Sequence, residues 1–116
     1  VEPLLYAVEA DGRCILYGTD TAVLPEETWQ AFRDVTLRFD IVILDHTYGP
    51  GVPGTDHLSA EQCIAHITRM REEGLIGDTT RVFATHISHE GNPPHPELTA
   101  FAAQHGYEIA YDGLTV

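Results

Sequence analysis

Ile41-Val42-Ile43-Leu44-Asp45-His46 and Val82-Phe83-Ala84-Thr85-His86-Ile87-Ser88-His89 are the stretches that decide the fold. Ile41–Leu44 is a continuous apolar run, too short for a helix, and it reads as a strand buried on both faces. Val82–Thr85 reads as a second short strand. Between them lie a loop from Asp45 to Leu58, rich in Gly, Pro, Thr and His, and then Ser59 and Gln62 at the spacing of a capping box. The helix that follows turns Cys63, Ile64, Ile67 and Met70 inward and Arg69, Arg71, Glu72 and Glu73 outward. Gly74 or Gly77 can end it. Strand, helix, strand is the unit of a layered α/β sheet.

The pattern extends in both directions. Upstream, Leu4–Val8 and Cys14–Tyr17 are β-rich, with Ala10-Asp11-Gly12 as a tight hairpin turn. Pro25 suits a first helical residue, and the charges of Glu26 and Glu27 suit a helix N-terminus. Trp29, Phe32, Val35 and Phe39 recur at helical spacing as one apolar stripe. Downstream, a loop from His86 to His95 precedes a helix that starts at Pro96, turns Leu98, Phe101 and Ala102 inward and closes at Gly106. Tyr107–Tyr111 and Leu114–Val116 read as a last hairpin around Asp112-Gly113. The predicted order is β-β-α-β-α-β-α-β-β: one α/β domain over residues 1–116, with a mixed sheet and flanking helices. No repeat, linker or low-complexity segment interrupts it.

Composition narrows the function classes. With 116 residues and 43% hydrophobic content, the chain has enough apolar material for one core. No apolar run reaches bilayer length and Val1–Ala10 does not resemble a secretory signal, so a soluble, cytoplasmic chain is expected. The formal charge of −12 repels nucleic-acid phosphates and anionic lipid, so neither nucleic acid nor membrane is an expected partner. A small anionic substrate stays open, because a bound cation reverses the local sign. All six basic residues are arginine, which removes lysine Schiff-base and P-loop chemistry. Cys14 and Cys63 sit among apolar residues and read as small core hydrophobes, a disulfide or a metal role being the alternatives.

The residues able to do chemistry fall just after apolar strands. Asp20 follows Cys14–Tyr17, Asp45 and His46 follow Ile41–Leu44, and His86 follows Val82–Thr85. Ligands of α/β sheets bind at the carboxyl ends of strands. Carboxylate and imidazole are ligands for Zn, Mn and Fe. Each residue also has a plainer reading. Asp20, in Gly18-Thr19-Asp20-Thr21, can make an Asx turn or cap a helix. His86 and His89 can be hydrogen-bonded loop histidines. His57 can donate a proton to a leaving oxygen, or simply stand near a helix start. Asp45 can orient a ligand from behind, and Asp45 and His46 can equally be satisfied by nearby backbone. His66 and His105 are expected to face solvent, His95 to cap its helix, and Asp112 to serve its turn.

Read in order, Leu16-Tyr17-Gly18-Thr19-Asp20-Thr21 with Leu24-Pro25-Glu26, Leu44-Asp45-His46-Thr47, Asp56-His57-Leu58, Thr85-His86-Ile87-Ser88-His89 and Ala110-Tyr111-Asp112-Gly113 resemble the C-terminal half of a metallo-β-lactamase-fold hydrolase. The nearest subgroup is the one similar to the phosphoribosyl 1,2-cyclic phosphate phosphodiesterases. The resemblance implies half of an αββα sandwich. It also implies a two-metal Zn or Mn site with Asp20 bridging and His86 ligating, and water activated for attack on phosphorus. His57 would assist the substrate phosphate or protonate the leaving group. Asp45, His46 and His89 would support the ligands or the substrate. The substrate would be a small phosphate ester.

The chain departs from that family in lacking the H-x-H-x-D-H string of its first half and a further ligand histidine. This chain alone is therefore expected to bind metal weakly, to be inactive, and to self-associate or pair with the missing half. Two other readings stand beside it. One is a non-catalytic acidic α/β interaction domain that keeps the fold. The other is a hydrolase of the same fold acting on a thioester, a lactone or an RNA end.

Overall fold

The structure, a computed structural model, describes residues 5–89 and 91–116. Tyr6–Ala10 (β1) and Arg13–Gly18 (β2) form an antiparallel hairpin. Its turn uses positive φ at Asp11 (53°) and Gly12 (76°), as a two-residue turn between twisted strands requires. The expected strand start at Leu4 lies outside the described residues. Glu26–Asp34 (α1), Ile41–Asp45 (β3), Ala60–Glu72 (α2), Arg81–Thr85 (β4), His95–Gln104 (α3) and Glu108–Ile109 (β5) follow. The sheet is five-stranded and mixed, in the order β1-β2-β3-β4-β5, with β2 to β5 mutually parallel. The chain is thus α/β, as the alternation of elements predicts.

Local chemistry sets the boundaries. Ser59 caps α2 through the expected box: Gln62 N donates to Ser59 Oγ, and Ser59 N donates to Gln62 Oε1. α1 stops at Asp34, and Thr36 takes φ 53°, a left-handed turn out of the helix. Val35 is therefore 64% exposed rather than part of the stripe, while Phe39 is buried beyond the helix end. Arg69 ties α1 to α2, bonding both oxygens of Glu26 and lying over the Trp29 ring.

Four further expectations need correction. The closing hairpin does not form: among the described residues β5 has two residues, and Leu114–Val116 is no strand. Asp112-Gly113 does make a turn, closed by Leu114 N to Tyr111 O. The two-residue β5 offers too short a ladder for a further partner. His66 is 6% exposed, not solvent-facing. It sits beside Cys63, Ile67 and Met70 on the inward face of α2, and its Nε2 accepts from Leu24 N at 3.1 Å. His95 does not cap α3; Pro94 holds that position and makes no side-chain cap bond.

The fourth correction concerns the faces of the sheet. The strands run in sequential order through helical crossovers, which places all helices on one face when every crossover is right-handed. Leu16, Val42, Leu44, Val82 and Ala84 from the strands join Trp29, Met70 and Leu98 from the helices in a single core. Cys14 and Cys63 belong to it, both as free thiols. The opposite face carries Tyr6, Val8, Ile15, Tyr17, Ile41 and Ile43, and no described helix covers it. Tyr6, Val8 and Tyr17 are 54%, 52% and 46% exposed, and Ile41 and Ile43 are half-buried. On the same face Phe83 is screened by the Arg81 guanidinium above its ring. The Ile41–Leu44 run, expected to be buried on both faces, is covered on one.

Candidate metal centre

Because β2, β3 and β4 are parallel, their carboxyl ends open on one edge, and there the chain collects its acids and imidazoles. Asp20 stands two residues past β2, Asp45 ends β3, and His86 follows β4 directly. His57 arrives from the long β3–α2 loop. That loop is folded back by a bridge between Tyr48 and Ser59 and by Leu58 N donating to Thr21 O at 3.1 Å. One ligand atom from each of Asp20, Asp45, His57 and His86 lies within 4.8 Å of the others.

The spacing suits a cation. Ligands on bonds of about 2.1 Å around a tetrahedral ion stand roughly 3.4 Å apart. Here His86 Nε2 is 3.9 Å from Asp20 Oδ1, while His57 Nδ1 lies 3.4 Å from Asp20 Oδ1 and at hydrogen-bond distance, 3.0 Å, from Asp45 Oδ2. Mixed carboxylate and imidazole donors fit Zn, Mn or Fe. Asp20 and His86 also hold positive φ, 57° and 59°. Such a backbone is uncommon for residues with a β-carbon, Asp and His being among those that adopt it most readily, and it turns the chain sharply at both strand ends.

Asp45 is the hub. Its carboxylate is wholly buried and accepts four hydrogen bonds. Thr21 N (3.2 Å) and His57 Nδ1 (3.0 Å) donate to Oδ2; Thr47 N (2.9 Å) and Thr47 Oγ1 (2.7 Å) donate to Oδ1. Behind it, Cys63 Sγ donates to the Asp45 carbonyl at 2.8 Å. The Thr47 hydroxyl is spent on Asp45, so at the 2.8 Å contact with His86 Nδ1 the imidazole N–H donates to Thr47 Oγ1. That fixes the His86 tautomer and leaves Nε2 with its lone pair free, on the side of Asp20. Asp45 therefore orients both histidines, one directly and one through Thr47. Its acceptor positions are full, whereas Asp20, with its side chain 70% exposed, is the open carboxylate.

His57 is tuned toward its protonated form. The hydrogen bond to Asp45 raises its pKa, burial opposes, and the charges of Asp45, Asp56 and Asp20 add to the rise. Asp56 is in turn held ionised, chiefly by the Tyr48 hydroxyl that donates to it at 2.6 Å. The rings of His57 and His86 stack with centroids 5.0 Å apart.

The other candidates lie elsewhere. His46 is fully buried, faces away from the cluster's four residues toward Tyr107, whose hydroxyl is 2.9 Å from Nε2, and is kept neutral chiefly by burial. His89 is exposed, outside the four-residue group, on the wall of a surface cavity with Asn92, Pro93, Leu98 and Ile109. His105 is exposed beside Phe101. Two residues with clear roles escape sequence reading: Thr47 and Thr21. Thr47 carries a faint signal, an Asp-x-Thr spacing typical of side-chain-to-backbone turns. Thr21 carries none.

Matched against models of known protein families and against curated proteins, the chain finds no counterpart in either. Among the described residues no helix is long and apolar enough to cross a membrane.

Proposed function

We propose that this chain is the second half of a metallo-β-lactamase-like αββα sandwich and carries part of a metal-dependent hydrolase site for a small phosphate ester. The observation that carries the reading is the convergence of Asp20, His57 and His86 with Asp45 within 4.8 Å at one strand edge. The bare apolar face of β1 to β3 supports the sandwich, since a second sheet packed there would bury it.

A divalent cation bound at this edge would supply Lewis acidity and a more acidic water. Asp20 and His86 Nε2 are the donors free to hold it. His57 keeps Nδ1 on Asp45 and offers Nε2 as the proton donor to a leaving alkoxide. Asp45, buried and held by its other donors, keeps the ring in one orientation as the proton leaves. Asp20 and His86 alone are a sparse ligand set, and the reading therefore requires further ligands from a first half bearing H-x-H-x-D-H.

The test is hydrolysis of bis(p-nitrophenyl) phosphate with Mn²⁺ or Zn²⁺ by the protein made from the whole coding sequence. Asp20→Ala removes turnover, and His57→Ala lowers kcat by about 10²–10⁴. Unchanged activity in Asp20→Ala contradicts the reading. The bare face also favours a second reading, an acidic domain that uses this surface to bind a partner. In that case Asp20→Ala leaves binding untouched while lysines on the face abolish it.

A further inference from the structure

The loops that follow β3 and β4 are laced together by one side chain. Asn92 Nδ2 donates to the carbonyls of His46 (3.3 Å), Thr47 (2.9 Å) and Ser88 (2.9 Å). The Thr47 carbonyl also accepts from Ser88 N at 3.3 Å and Ser88 Oγ at 2.5 Å. The two backbones meet so closely that a β-carbon on Gly49 would stand 2.0 Å from the Gly91 carbonyl oxygen. Only glycine fits there.

Three carbonyl acceptors around Nδ2 settle which end of the amide is which, because an oxygen could not face them. Asn92 Oδ1 then points elsewhere, buried and with no bond of standard geometry. His46 Nδ1, on a ring with 0% exposure, is in the same position. One orphan is an acceptor and the other can be a donor, on side chains whose residues are already joined through the His46 carbonyl. Buried polar groups seldom stay unpaired.

We propose that Asn92 Oδ1 accepts from His46 Nδ1–H, and that Asn92 is thereby a positioning residue for the site. The second half of this inference rests on reading the strand edge as a metal centre. His46 is then the Nδ1–H tautomer, and its Nε2 accepts from the Tyr107 hydroxyl. The chain runs from Tyr107 through His46 and Asn92 to the carbonyl of Thr47. Thr47 is the residue whose Oγ1 stands between His86 and Asp45, so Asn92 acts on His86 through Thr47 and through the Ser88 carbonyl.

Long-range histidine ¹H–¹⁵N correlation on the full chain reads the tautomer, and titration with Co²⁺ reads the site. The wild type shows neutral His46 protonated on Nδ1. Asn92→Ala loses that single tautomer and binds Co²⁺ about tenfold more weakly, as expected for an outer partner of a ligand. Asn92→Asp keeps an acceptor for His46 but loses the three donations, so it keeps the tautomer and still loses Co²⁺ affinity. It also supplies the affinity comparison if Asn92→Ala does not fold. A wild-type His46 protonated on Nε2 overturns the pairing, and undiminished Co²⁺ affinity in a folded Asn92 variant overturns the positioning role. Asp20→Ala is the control for the site itself. If it binds Co²⁺ like wild type, the metal reading fails, and the tautomer still decides the Asn92–His46 bond.

Discussion

The wholly buried carboxylate of Asp45 holds His57 by Nδ1 at 3.0 Å, while the same side chain reaches His86 through Thr47 Oγ1. One acid thus sets the direction of two imidazoles. A carboxylate out of water is tolerated only with its lone pairs engaged, and here four donors engage them. The arrangement is as much a stability element as a functional one.

Asp45→Ala strips partners from Thr21 N, Thr47 N, Thr47 Oγ1 and His57 Nδ1 together. Each orphaned buried donor costs about 1–3 kcal/mol, partly recovered by water. The expected loss is about 3–5 kcal/mol in urea denaturation, the range for breaking a buried charged network. A loss under about 1 kcal/mol contradicts the hub.

Asp20 makes the opposite prediction. Its side chain is 70% exposed and its φ is 57°. Asp20→Gly accepts that backbone without a β-carbon, so stability stays within about 1 kcal/mol of wild type while metal affinity falls. Thermal unfolding and Co²⁺ titration, run side by side, separate the two effects. A large destabilisation shows that Asp20 is a structural turn residue instead.

His66 predicts a pH dependence. Burial, with Arg69 adding, lowers its pKa from 6.5 to about 4, and its Nε2 must stay unprotonated to accept from Leu24 N. The unfolded chain takes up this proton near pH 6.5 and the folded chain only near pH 4. The stability His66 contributes is therefore complete above pH 6.5, falls as the pH drops to about 4 and is flat below that. The shift corresponds to about 3 kcal/mol. Urea midpoints measured across this window fall more steeply for wild type than for His66→Leu. Parallel curves contradict the assignment.

The uncovered sheet face predicts association. Tyr6, Val8 and Tyr17 stand in water beside Ile41 and Ile43 on one side of β1 to β3. Sedimentation velocity of this chain alone is expected to show concentration-dependent self-association, which Val8→Lys with Tyr17→Lys abolishes. A wild-type monomer at all concentrations contradicts the need for a second layer.

Much of this architecture was legible in the residues. Apolar periodicity located the helices and most of each described strand, the Ser59–Gln62 box marked the start of α2, and the strand ends pointed to Asp20, Asp45 or His46, and His86 as neighbours, of which His46 instead turns to Tyr107. What failed had physical causes. His66 reads as polar, yet one ring nitrogen matched to one backbone N–H makes it a core residue. Leu114–Val116 has strand-like residues but only the two-residue β5 beside it to pair with. Ile41–Leu44 asks for burial on two sides, and the described chain supplies one. Long-range polar lacing, such as Asn92 to Thr47 or Thr21 to Asp45, leaves no periodic mark, because it depends on loops meeting across the sheet edge.

The most direct measurement is paramagnetic broadening by Mn²⁺ in the ¹H–¹⁵N spectrum of this chain. With a formal charge of −12, diffuse binding would spread broadening over the whole acidic surface. The account predicts that the first signals lost at low Mn²⁺ belong to Asp20, His57 and His86 with their loop neighbours, and that Asp20→Ala restores them. Broadening scattered over Glu and Asp residues far from this edge, or unchanged by Asp20→Ala, would contradict it.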